Sequence, residues 1–283
     1  MMKKLVLFLG FLVLLNSFAY AADESFVPAL TDSFLANMKK CKDKDMVIVD
    51  YHIHIRGGMT PEKAAIRQEK TGIISGVLEN TGRNWPLSDN DKLRAFIEDA
   101  EKARANGKPL LIGIQVNDRD WFKTIDPELH KRLDYVLADT MIMDTDKDGN
   151  PAKMWLDGYT IADPEKWMER YMDHNRQVLS EPISILANPT YLPKPVEHLY
   201  DKLWTEERMK EIISKAIEKN IAIEIQSTSI FPNVKFLKLA KEMGVKFSFG
   251  TNNFDATPLP TERWFKVIDE LKLEKKDLWT LRK

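Results

Sequence analysis

Met46-Val47-Ile48-Val49-Asp50-Tyr51-His52-Ile53-His54 is the stretch that decides the fold. Its apolar residues run together without helical spacing, which reads as a strand buried on both faces. Residues two apart in a strand share a face, so His52 and His54 are expected side by side where strand gives way to loop. Two imidazoles held this way can chelate a divalent transition metal. The same signature, a short apolar run ending in polar groups, recurs along the chain.

The candidate strands are Met46–Tyr51, Ile73–Glu79, Pro109–Val116, Leu133–Thr140, Ile183–Ala187, Ile221–Ile225 and Val245–Gly250. Helices fill the gaps, and their ends are punctuated. Thr60-Pro61 caps one that Gly72 ends, and Asp163-Pro164 opens another with Trp167, Met168, Tyr171 and Met172 on its apolar face. Thr205 starts a third, Asn233 to Met243 forms a fourth stopped by Gly244, and Thr261 opens the last. Seven β-α units predict an α/β fold closed into a single (β/α)7 TIM-like barrel over residues 46–283, with an open doubly wound sheet as the alternative. No GxGxxG follows the first strand, which counts against the dinucleotide-binding version of that sheet. Met141–Leu156 interrupts the alternation and reads as a hairpin excursion above the barrel.

Functional groups of parallel barrels collect at the C-terminal ends of the strands. Those ends carry His52 and His54, Glu79-Asn80, Gln115 and Asn117, Asp139-Thr140, Asn188, Glu224 and Gln226, and Thr251-Asn252-Asn253. Polar groups at every end predict a polar pocket at one mouth. His52, His54, Glu79 and Glu224 are the candidate metal ligands, and Glu79 or Asp139 the candidate base. Glu79 could instead pair with Arg56 or Arg83, and Asp139 could orient a histidine through its ring nitrogen. Arg56 and Arg83 lie just beyond strand ends beside glycines, where a guanidinium could clamp an anionic substrate. Asn80, Gln115, Asn188, Gln226, Asn252 and Asn253 form a candidate substrate-binding set. These amides suit either a cavity refilled with neutral isosteres or a hydroxyl-rich ligand such as a sugar. Trp85 and Trp121 lie near the mouth and could stack on a ring, although core packing is the simpler reading. Asp144–Gly149 matches the first half of an EF-hand loop, but Trp155 stands where the bidentate glutamate belongs, so a polar hairpin turn is expected.

The ends and the composition bound the class. Lys3 and Lys4, the apolar run Leu5 to Leu15 and Ala19-Tyr20-Ala21 read as a signal peptide over residues 1–21, cut before Ala22, with a lead-in over 22–45. A periplasmic or secreted protein with no stable membrane anchor after cleavage is expected. Lys and Arg number 42 against 43 Asp and Glu with no long basic tract, so nucleic acid is excluded as the expected partner in favour of a small molecule. The lone Cys41 rules out an internal disulfide, and stability must come from the core.

Asp50-Tyr51-His52-Ile53-His54 resembles the first motif of the PHP (polymerase and histidinol phosphatase) domain family, an HxH after a strand. Val77-Leu78-Glu79-Asn80 aligns with that family's Thr-Asp-His, Gly113-Ile114-Gln115 with its Gly-x-Glu, Ala187-Asn188-Pro189 with its Ala-His-Pro, and Thr251-Asn252-Asn253-Phe254 with its Ser-Asp-x-His. The resemblance runs from about Met46 to Leu273 and keeps order, spacing and strand count. It implies a distorted seven-stranded barrel with several metal ions and phosphoesterase activity. The departures are systematic: amides replace a carboxylate or an imidazole at Asn80, Gln115, Asn188 and Asn252, and amides bind transition metals poorly. The amidohydrolase superfamily also opens with HxH and ranks second, because His130 and His174 fall in helical stretches and His198 in a connecting loop.

These readings converge on an exported hydrolase of PHP-like type with one divalent ion, zinc or manganese, acting on a phosphoester or another small polar substrate. The alternative is a metal-free barrel that binds or transforms a polar small molecule such as a saccharide, with His52 or Glu79 as general base.

Overall fold

The computed structural model describes residues 29–105, 109–145, 149–253, 255 and 259–281. The expected leader over residues 1–21 lies outside them, as do Asp146, Lys147 and Asp148 of the EF-hand-like stretch.

Seven parallel strands form the ring: β1 Val49–His54, β2 Ile74–Leu78, β3 Leu111–Val116, β4 Tyr135–Asp139, β5 Ile185–Ala187, β6 Ala222–Gln226 and β7 Phe247–Gly250. Their spatial order is β2-β1-β7-β6-β5-β4-β3, and pairing of β2 with β3 closes it. The expected (β/α)7 TIM-like barrel is thus the architecture, and the open sheet is not. A short segment, Asn80–Thr81, continues beyond Glu79 and pairs with Gln115 and Val116.

The helices begin and end where the sequence punctuates them. Pro61–Thr71 has Thr60 as its N-cap and ends at Gly72, whose φ of 73° requires the left-handed region. Asp163 caps Pro164–Val178, Thr205 caps Glu206–Lys219, Asn233 caps Val234–Met243, and Thr261 precedes Glu262–Leu271. Each lays its buried face on the outside of the ring, where the larger apolar core sits. His130 ends the short helix Pro127–His130, and His174 lies in Pro164–Val178, both away from the strand ends. The excursion above the barrel is an antiparallel hairpin of Ile142–Thr145 and Pro151–Lys153. Asp144 pairs with Arg170, and Lys153 Nζ stands 5.3 Å from the Trp85 ring centroid.

β1 starts later than the apolar run implies and ends later too, since backbone bonds to Asn253 carry it through His54: His54 N–H donates to Asn253 O at 2.8 Å, and Asn253 N–H to His52 O at 3.2 Å. A bulge between Asp50 and Ile53 then turns both Tyr51 and His52 inward, Tyr51 into the interior core and His52 into the polar layer above.

The barrel floor is built around Tyr135. Its hydroxyl donates to Tyr51 O at 2.8 Å, and its ring meets Tyr51 edge-on at 5.3 Å between centroids. Gly76 and Gly113, inward on β2 and β3, leave the room that this ring fills; a Cβ at residue 76 would stand 2.8 Å from the Tyr135 hydroxyl, and one at residue 113 would enter the ring. Gly113→Ala is therefore expected to destabilise the fold by about 2 kcal/mol through overpacking. Urea denaturation of Gly113→Ala with and without Tyr135→Leu should show strong favourable coupling; additive losses would mean that the ring is not what residue 113 accommodates.

Candidate functional site

The polar layer starts from a buried carboxylate. Asp50, on the outward face of β1, accepts from His52 N–H at 3.1 Å and Thr251 N–H at 3.0 Å through Oδ1, and from the Thr251 hydroxyl at 2.7 Å through Oδ2. Arg67, buried in the helix Pro61–Thr71, stands 3.6 Å from it. Burial pushes the Asp50 carboxyl above its ordinary range, against Arg67 and these hydrogen bonds. The contacts lock the β1 bulge to the end of β7.

His52 has acceptors on both ring nitrogens. Nδ1 is 2.6 Å from Glu224 Oε1, and Nε2 is 2.9 Å from Gln115 Oε1. The Gln115 amide nitrogen donates to Asp139 Oδ2 at 3.2 Å, which turns its oxygen to His52. His52 therefore donates from both nitrogens as an imidazolium. Burial works against its charge, but Glu224, followed by Asp139 and Asp50, outweighs burial and holds its pKa above the ordinary value. Gly250 makes the pair possible, since a Cβ there would stand 2.7 Å from the His52 Cβ and strike the Glu224 carboxylate.

The amides tie the remaining strand ends together. Asn188 N–H donates to Glu224 Oε2 at 3.1 Å, its side chain donates to Asp139 Oδ2 at 3.0 Å, and its carbonyl accepts from Gln226 Nε2 at 2.9 Å. Asp139 Oδ1 accepts from Met141 N–H at 2.6 Å. Burial still pushes the Asp139 carboxyl up to about 6. Among the described residues the hydrogen bonds of Asp139 go to Gln115, Asn188 and the Met141 N–H. Of the amides expected to bind substrate, Gln115 bonds to His52 and Asp139, Asn188 to Glu224 and Asp139, and Gln226 to Asn188. Asn188 and Asn252 also have φ of 47° and 52°, a region that asparagine enters more readily than other side chains, so backbone geometry asks for them as well.

Above this layer, His54 and Glu79 differ. His54 Nε2 lies 3.2 Å from Asn252 Oδ1 and carries the proton there. Its Nδ1 then presents a lone pair 3.4 Å from Glu79 Oε1 and has no hydrogen-bond partner. Burial pulls its pKa down to about 4, so His54 is neutral. Glu79 Oε1 accepts from Asn80 N–H at 2.7 Å and faces Arg56 Nη1 at 3.3 Å, while Oε2 is buried without a partner. Burial works to raise the Glu79 pKa, and the Asn80 N–H and Arg56 work against it. The Asn80 amide, turned with its oxygen outward, accepts from Arg56 Nη1 and Nη2 at 3.2 and 3.1 Å. Arg56 is the exposed member of this group, with 40% of its side chain open to solvent.

Two further expected site residues are placed by their backbones. The Asn80–Thr81 pairing and the turn at Gly82 carry Arg83 sideways, where its N–H donates to Asp118 Oδ2 at 2.8 Å. Asn253 uses its backbone to lengthen β1, and its side-chain oxygen accepts from Asp255 N–H at 2.8 Å.

His52, His54, Glu79 and Glu224 do not meet as a metal centre. Glu224 holds Nδ1 of His52, Gln115 takes its Nε2, and the expected carboxylate Glu79 lies beside His54 only. Among the described residues no group of three His, Cys, Asp or Glu side chains could hold an ion. With both His52 nitrogens occupied and amides as neighbours, these residues do not fit a zinc or manganese site.

No protein-family model matches the chain. No curated protein matches it either. Among solved structures it is similar to a dihydroorotase from Campylobacter jejuni, at 10% identity over 71% of this chain and 52% of that one, with a TM-score of 0.35. It is also similar to an amidohydrolase from Brucella melitensis, at 10% identity over 87% of this chain and 56% of that one, with a TM-score of 0.36. The chain thus spans about half the length of these proteins. Likeness at this level carries no activity across.

Asp50, Arg67, Tyr135 and Gly250 escaped the reading of strand ends. A charged residue inside the apolar run Met46–Tyr51 was the available signal for Asp50. The glycine and its partners are linked only in space.

Glu224→Gln tests the central pair. Removing the charge is expected to cost about 3 kcal/mol, as for one partner of a buried ion pair. Because the folded pKa of His52 lies above its unfolded value, the pair's stabilisation is fully present below about pH 6.5 and is lost as pH rises through the folded pKa. Urea denaturation between pH 6 and 9 should show this alkaline loss in the wild type and a flatter profile in Glu224→Gln. Parallel profiles would mean that His52 is neutral.

Proposed function

We propose that the barrel mouth carries out acid–base chemistry on a small polar substrate without a resident metal, with Glu79 as base and Arg56 pairing an anionic group of the substrate. The observation that carries this reading is the pair of buried, unbonded acceptors His54 Nδ1 and Glu79 Oε2, set beneath a partly exposed guanidinium. A buried acceptor without a donor is costly, and a substrate O–H would satisfy it. An ionised Glu79 can remove a proton from a substrate hydroxyl, an activated carbon or water. Neutral His54, fixed by Asn252, orients the same proton through its lone pair. The imidazolium of His52 stays with Glu224 and supports the layer from below.

The PHP resemblance implies instead phosphoester hydrolysis through one zinc or manganese ion. The donor set speaks against that reading, since both ring nitrogens of His52 are taken by Glu224 and Gln115 and amides stand at the ligand positions. The chain fits better as a PHP-like barrel in which hydrogen bonds have replaced the metal cluster. In this reading it acts in the periplasm or outside the cell, as the leader pattern supports.

Metal analysis by mass spectrometry, on protein purified without chelator, should find well below one equivalent of zinc, manganese or iron. About one equivalent, lost in His54→Ala, would overturn the metal-free reading. In a screen of small hydroxy acids, sugar acids and phosphoesters, Glu79→Gln should lower turnover by about a hundredfold or more, the range for a general base. Turnover equal to the wild type would remove Glu79 from the chemistry.

A further inference from the structure

Beside the mouth lies a cavity of about 360 Å³ that the acid–base reading does not use. It opens between the turn after Asn80–Thr81 and the loop after β3, at the start of the helix Asn90–Ala105. We propose that it binds a neutral, polyhydroxylated ring of monosaccharide size.

Three observations support this. The volume lies at the small end of the range for ligand pockets, about 300 to 1,000 Å³. The buried side chains Leu87, Leu93 and Trp121 give it an apolar wall, suited to the C–H face of a ring. Opposite them stand Arg83 and Asp118, whose hydrogen-bonding capacity is only partly used. Asp118 Oδ2 accepts from Arg83 N–H at 2.8 Å, and among the described residues no donor is bonded to Oδ1. No carboxylate pairs with the Arg83 guanidinium among the described residues either. A carboxylate that accepts and a guanidinium that donates can bracket neighbouring hydroxyls of one ring, since each hydroxyl both donates and accepts.

The charge balance selects a neutral ligand. Asp118 and Asp89 are offset by Arg83 and Lys92, and Arg119 is paired with Glu181 at 2.8 Å, so no net field favours an ion. Asp89 already occupies the helix start, accepting from Lys92 N–H at 2.9 Å, and its carboxylate would repel a phosphate there. The wall is also held in place. Gly82 has φ of 140°, and a Cβ at that position would stand 2.7 Å from the Asp118 carboxyl carbon, so the turn and the carboxylate are positioned together. Asp118 follows Asn117, whose side-chain amide lies 3.0 Å from that of Asn80, and the cavity therefore adjoins the mouth.

The test is saturation-transfer NMR and calorimetry on the full chain with glucose, galactose, mannose, xylose and myo-inositol, and with glucose 6-phosphate and inorganic phosphate as anionic comparators. Saturable binding of at least one neutral compound is expected. It should weaken tenfold or more in Arg83→Ala and in Asp118→Asn, with an unchanged thermal unfolding midpoint. Arg83→Ala keeps the backbone donor to Asp118 and so remains informative if Asp118→Asn fails to fold. Glu79→Gln should bind as the wild type does, which separates this site from the acid–base reading. Three results would overturn the proposal: no binding of any neutral compound, tighter binding of either phosphate, or wild-type affinity in Arg83→Ala.

Discussion

The polar half of the barrel depends on one buried ion pair, His52 with Glu224, whose atoms approach to 2.6 Å with side chains at most 1% exposed. Two charges removed from water lose several kcal/mol of hydration each, and their attraction offsets that only if the remaining hydrogen-bonding groups are satisfied. Here they are satisfied by neighbours: Gln115 takes the other ring nitrogen of His52, and the Asn188 N–H takes the other oxygen of Glu224. The pair joins β1 to β6 across Gly250 of β7, where any larger residue would enter the same space.

That requirement explains why the strand ends carry amides. An amide can accept from an imidazolium on one side and donate to a carboxylate on the other, as Gln115 does between His52 and Asp139. A second carboxylate at residue 115 would place another negative charge next to Asp139, whose pKa burial already raises to about 6. The network thus carries no more than about one net negative charge, and the low local dielectric strengthens its internal bonds.

Glu79 and His54 stand outside this balance. Each holds one bonded atom and one buried atom without a partner, and Arg56 links the group to solvent. Unsatisfied polar atoms also occur at His174, Asn175 and Ser248, but those of His54 and Glu79 lie together beneath a partly exposed guanidinium, where the fold has kept capacity for something else. Strain and orphaned groups concentrate at such positions because the surrounding packing is rigid enough to maintain them.

The seven-strand alternation, the helix caps at Thr60, Asp163, Thr205 and Asn233, and the stops at Gly72 and Gly244 were determined by the sequence alone, because hydrophobic period and capping chemistry act over a few residues. The shared face of His52 and His54 and the inward turn of Glu224 and Gln226 were legible for the same local reason. What each polar group does there was not legible. Whether His52 is a ligand or a cation depends on Glu224, 172 residues away, and on the missing side chain at Gly250. Arg83 looks like a mouth residue in the sequence, yet one turn carries it to the side, and Asn253 serves the mouth through its backbone bonds to His52 and His54. Only the tertiary structure decides such roles, because protonation and hydrogen-bond capacity are set by the neighbours that closing the ring brings together.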